Sequence, residues 1–100
     1  MAVQHIVMFR VKKGVRQAQI NNMLHALESW RETVPGITEV RATKNMAKVR
    51  TGFNYALLIR FKDKRAWQNF TQGDIEEVRD VVEDFVEPIV EDVIVGDYEI

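Results

Sequence analysis

Three places in this chain hold side chains that could do acid–base chemistry. His5 falls inside the alternating run VQHIVMFRV, on the side shared by Val3, Val7 and Phe9. A neutral imidazole there can take and return a proton near neutral pH, which suits a general base in a closed cavity. The same placement also suits a histidine hydrogen-bonded to a core or interface partner. Tyr55 sits in a second alternating run and could donate its phenol to a ligand carbonyl, or pack at an interface with its hydroxyl satisfied. The third place is NFTQGDIEEV, residues 69–78, where Asp74, Glu76 and Glu77 crowd together after Gly73. As a base, Glu76 would have to be buried beside Ile75, Phe70 or Trp67. A local explanation competes with that: Asp74 as N-cap, Ile75 to Glu77 as a first helical turn, and Asp74-x-x-Glu77 as a capping box. Gly73 then ends the preceding helix.

The surrounding pattern defines the elements that must position these groups. Residues 3–11 alternate with period two and read as a strand, with Ile6 and Met8 making its second face apolar as well. From Val15 to Thr33 the period becomes helical, with Ile20, Met23, Leu24, Leu27, Trp30 and Val34 on one face. Pro35-Gly36 stops that helix. Ile37 to Thr43 reads as a strand, Lys44 to Gly52 as a basic loop or strand extension, and Phe53 to Phe61 as a third strand. Asp63-Lys64-Arg65 opens a short helix. A longer one carries the stripe Ile75, Val78, Val81, Val82, Phe85, Val86 and Ile89, and Val93 to Ile100 closes the chain as a strand.

The order β-α-β-β-α-β, with the second helix in two pieces, predicts an α+β ferredoxin-like protomer with one four-stranded antiparallel sheet and helices on one face. His5, Val7, Phe9, Tyr55, Leu57 and Ile59 are expected on the opposite, uncovered face. So large an apolar patch calls for a partner, and two sheets packed face to face would make a barrel-like homodimer. Val7, Phe9, Leu57 and Ile59, with Trp67 and Phe70, are then candidate ligand contacts. The plainer reading of Trp67, Phe70, Met8 and Trp30 is core.

One hundred residues suffice for a single domain, 1–100, with its own core. The absence of cysteine excludes disulfides, thiolate metal sites and cysteine nucleophiles, and fits a cytoplasmic location. No stretch approaches a membrane span, and the N-terminal pattern is that of a strand rather than a signal peptide. Residues 1–72 hold 13 Lys/Arg and 4 Asp/Glu, net +9, whereas residues 73–100 hold 1 and 11, net -10. The asymmetry suits halves that attract within a chain or across a dimer. The basic residues lack interleaved aromatics, so no nucleic-acid partner is expected. Asp80, Glu83, Asp84, Glu87 and Glu91 fall opposite the apolar stripe as a solvated helix face, or at most a weak ladder for divalent ions. His25 is expected at the surface. Nucleophile elbow, phosphate loop and His/Asp metal triad are all missing from the sequence, so no metal site is expected.

The segments HIVMFRV (5–11), VPGI (34–37), GFNYALLIRFKDKRAW (52–67) and VGDYEI (95–100), in this order and spacing, resemble the stress-responsive A/B barrel family across the whole chain. The resemblance implies a βαββαβ protomer, a homodimer whose sheets form a barrel, and often an internal cavity. A polyketide cyclase of that family works without metal or organic cofactor, by aldol condensation with a histidine base and an assisting tyrosine. Carried over by position, that histidine falls on Glu76, the tyrosine on Phe70 and a pocket histidine on Tyr55. His5 and Asp97 match outright. The resemblance thus nominates His5, Tyr55, Glu76 and Asp97 as catalytic candidates, needs no cofactor, and leaves three readings: a small-ligand binder, a cofactor-independent cyclase or isomerase using His5, and a purely structural stress-related oligomer.

Overall fold

A computed structural model describes residues 1–45 and 52–100 of the chain. The middle of the expected basic loop, with Lys48 and Arg50, lies outside the described residues. The elements run β1 (Val3–Val11), α1 (Gln17–Glu28), α2 (Trp30–Thr33), β2 (Ile37–Lys44), β3 (Tyr55–Phe61), α3 (Lys64–Gln72), α4 (Glu76–Val81), a π-helical turn (Val82–Val86) and β4 (Val90–Glu99). The strands pair in the order β2-β3-β1-β4, every pair antiparallel. This is the ferredoxin-like arrangement that the element order predicts. None of the described helices is long and apolar enough to cross a membrane.

The core forms between the helices and one face of the sheet. Val3, Val7 and Phe9 of β1 and Leu57, Ile59 and Phe61 of β3 pack with Ile20, Met23, Leu27 and Trp30. Here the structure corrects the sequence reading. His5, Val7, Phe9, Tyr55, Leu57 and Ile59 are all buried within one chain, so they face the helices and not the uncovered side. The face left without a helix is the alternate one, carrying Ile6, Met8, Ala56 and Leu58, which pair across β1 and β3. Period-two alternation separates the two faces of a strand, but both faces here are apolar, so the pattern cannot say which one receives the helices.

Three local differences have identifiable causes. The first helix begins at Gln17 rather than Val15, where the Gln19 side chain accepts the Arg16 backbone N–H at 3.2 Å. It breaks at Ser29, whose hydroxyl donates to the Ala26 carbonyl at 2.6 Å, a back-bond that bends helices. Beyond α4 the Glu87 N–H reaches the Val82 carbonyl at 2.8 Å, an i to i+5 bond that turns the expected continuous helix into a π turn. Phe85, expected in the buried stripe, is exposed there.

Asp74 is not the N-cap of α4. Its carboxylate pairs with the Arg79 guanidinium, and Ile75 takes the cap position with no side-chain bond. Gly73 does end α3, as expected, in an extended conformation, and a Cβ there would run into the Asn69 carbonyl oxygen. Asp63 caps α3 by accepting the Ala66 N–H at 2.9 Å. The turn into β2 needs Gly36: its φ is 87°, and a Cβ would collide with the Ala66 side chain on α3.

Candidate functional site

β1 lies between β3 and β4, so His5 has Ile59 on one side and Asp97 on the other. Residues directly opposite in an antiparallel pair project to the same face. The side chains of His5 and Asp97 accordingly meet, with Nδ1 and Oδ1 2.5 Å apart. A third group arrives from α3: the Trp67 indole Nε1–H donates to the same Oδ1 at 2.9 Å. One carboxylate oxygen therefore gathers a strand, its neighbour and a helix.

Aromatic rings enclose the imidazole. Phe61 and Phe70 meet it edge-on, with centroids 6.4 and 5.7 Å away, and Phe70 in turn packs edge-on against Trp30 at 5.4 Å. Trp30 is fixed from the other end by its Nε1–H, which donates to the Glu77 carbonyl at 3.3 Å. His5 is 7% exposed, while the Asp97 side chain keeps 26% of its surface open. The pair is thus sealed at the histidine and open at the carboxylate. With Nδ1–H donated to Asp97, Nε2 keeps its lone pair, the form needed to accept a proton.

A pocket of about 240 Å³ adjoins the pair, lined by Val3, Lys64, Trp67, Asp97, Tyr98 and Glu99. Lys64 and Glu99 form an exposed ion pair at 3.8 Å across it. A larger groove of about 660 Å³ between the first two helices and β2 is lined mainly by charged and polar side chains and includes none of these residues.

His5, Asp97, Trp67 and Phe70 come together in this arrangement. Val7, Phe9, Leu57 and Ile59 are buried in the core on the same face. Tyr55 is elsewhere: it pairs with Phe9, whereas His5 pairs with Ile59, a separation along β3 of about 13 Å. Glu76 is exposed at the start of α4 and lines neither this pocket nor the one beside Gly73 and Ile75. Lys64, Tyr98 and Glu99 were not among the sequence candidates. Their positions flanking Trp67 and Asp97 were the available signal, but it takes the β1–β4 pairing to bring the two ends together.

Comparison with known proteins agrees with this fold. The model of the stress-responsive A/B barrel domain matches residues 3–100. No curated protein matches the chain. Among solved structures, a dimeric ferredoxin-like protein of unknown function from Bacteroides fragilis superposes with a TM-score of 0.80 at 21% identity, covering 99% of this chain and 96% of its own. A family protein from Mesorhizobium loti gives 0.81 at 18% identity, with 98% and 95% covered. The hydroxynitrile lyase of Passiflora edulis gives 0.84 at 23% identity, with 99% and 93% covered.

Proposed function

The chain belongs to the stress-responsive A/B barrel domain family, and from that premise we propose that it works as a homodimer binding a small, mainly apolar or aromatic molecule in the pocket that Trp67, Asp97 and Tyr98 line beside His5. The observation that carries this reading is the convergence of His5 Nδ1 and Trp67 Nε1 on one Asp97 oxygen beside a pocket of about 240 Å³. The bond to the carboxylate satisfies the buried imidazole and fixes its orientation at the end of the core. Trp67 and Tyr98 offer flat apolar surface to a ligand, and the exposed part of Asp97 offers a polar contact. The homodimer is supported by relatives described as dimeric and by the uncovered apolar face of the sheet. Native mass spectrometry of protein purified from its own host tests both parts. A dimer retaining a small molecule is the expected result, and a bare monomer contradicts it.

The orientation of His5 specifically favours a second reading, proton transfer in a cofactor-independent lyase, isomerase or cyclase. His5 Nε2 would take a proton from a substrate that reaches past the Phe61 and Phe70 rings, and Asp97 would stabilise the imidazolium that results. One structural neighbour being a hydroxynitrile lyase is compatible with that class. His5→Ala separates the readings: a turnover that survives it removes His5 as base, turnover lost with ligand still retained supports His5 as base, and a wild type that retains ligand without turnover leaves a binding protein. An assembly without ligand or turnover would leave the structural oligomer.

A further inference from the structure

α3 reaches β4 at two points. Lys64 and Trp67 stand one helical turn apart on α3, and Asp97 and Glu99 project from one face of β4. Trp67 Nε1–H donates to Asp97 Oδ1 at 2.9 Å, and Lys64 meets Glu99 at 3.8 Å. The two contacts differ in kind. Lys64 and Glu99 are both exposed, so their attraction is screened and weak. Asp97 is more enclosed, and the oxygen that accepts the indole N–H also meets His5 Nδ1 at 2.5 Å. Among the described residues no third donor reaches that carboxylate.

We propose that Trp67 is a positioning residue for His5: its N–H holds Asp97 Oδ1 against the imidazole and so keeps the ring in the Nδ1–H tautomer, with Nε2 free to accept a proton. The inference rests on the reading of His5 as a proton acceptor. A carboxylate turns easily about its last torsion, whose wells are broad and two-fold. With His5 as the only donor, the two oxygens could exchange, or the open side of Asp97 could turn to water. A second donor, arriving from α3, fixes the same oxygen from another direction. Trp67 is itself held: its backbone N–H donates to the Asp63 carbonyl at 3.3 Å, and its carbonyl accepts the Thr71 hydroxyl at 3.0 Å. Its side of the pocket is open to a ligand, whereas His5 is not among the lining residues. The residue that meets a ligand is thus the one that determines which nitrogen of the buried imidazole stays free.

The test reads the tautomer directly. Trp67→Phe keeps an aromatic ring at this position and loses the N–H. Long-range proton–nitrogen NMR of the neutral His5 ring is recorded for both proteins, while emission from Trp30, then the sole tryptophan, reports an intact core. The wild type is expected to show the Nδ1–H form. In the variant the ratio of Nδ1–H to Nε2–H should fall about five-fold or more, the worth of one net hydrogen bond. An unchanged ratio in the folded variant overturns this proposal and leaves His5 oriented by Asp97 alone. A wild-type ring that carries its proton on Nε2 overturns the proton-acceptor reading itself. Thr71→Val removes a bond within α3 but keeps the indole N–H, so the wild-type ratio should survive it. A comparable fall there would reduce Trp67 to packing and overturn the proposal. Should Trp67→Phe fail to fold, benzothienylalanine at position 67, which fills the volume of the indole without an N–H, gives the same decision.

Discussion

The Asp97 carboxylate holds the His5 imidazole at 2.5 Å across 92 positions of sequence, tying the first strand to the last. With Trp67 on the same oxygen, the contact serves two ends. It fastens an edge strand that no helix covers, and it selects which imidazole nitrogen is free.

Asp97→Asn tests both roles. The amide keeps the shape but cannot act as a charged acceptor for two donors, so unfolding free energy in urea should fall by about 1–2 kcal/mol. Nitrogen-15 shifts of His5 should move away from the Nδ1–H tautomer. An unchanged tautomer would show that Asp97 does not orient the ring.

Gly36→Ala should destabilise by roughly 2 kcal/mol or more. The position has φ of 87°, and the new methyl meets the Ala66 side chain, so backbone strain and overpacking act together. A denaturation midpoint within error of wild type would contradict both contributions.

Asp63→Ala removes the side-chain cap of α3, which accepts the Ala66 N–H. The expected cost is about 1 kcal/mol, with Asp63→Asn recovering most of it. Because α3 carries Trp67 to Asp97, the loss should also appear as a red shift in tryptophan emission.

Glu76→Gln should change stability by less than about 0.5 kcal/mol and leave ligand retention intact, because the side chain is exposed and away from the pocket. A loss of retained ligand in this variant would return Glu76 to the site.

Much of the fold was legible because its signals are local. The alternation in Val3–Val11 and Tyr55–Phe61, the stripe of Ile20, Met23 and Leu27, and the stop at Pro35-Gly36 each act within one element. Side-chain competition was harder to read. Ser29 bonding back to Ala26, and Arg79 drawing Asp74 away from a cap, depend on which of several nearby donors and acceptors wins. Of the site, His5 and Asp97 could be nominated singly, but their contact could not.

The sequence by itself determined the element order, the two-faced apolar strands and the placement of a histidine within the first of them, since side-chain period and turn chemistry are properties of short stretches. Tertiary structure alone decided which sheet face lies under the helices, because hydrophobicity ranks two apolar faces almost equally and only helix packing breaks the tie. It likewise decided that His5 and Trp67 meet on Asp97 while Tyr55 and Glu76 stand apart. Strand register and helix docking set those distances, and neither is written in any one segment.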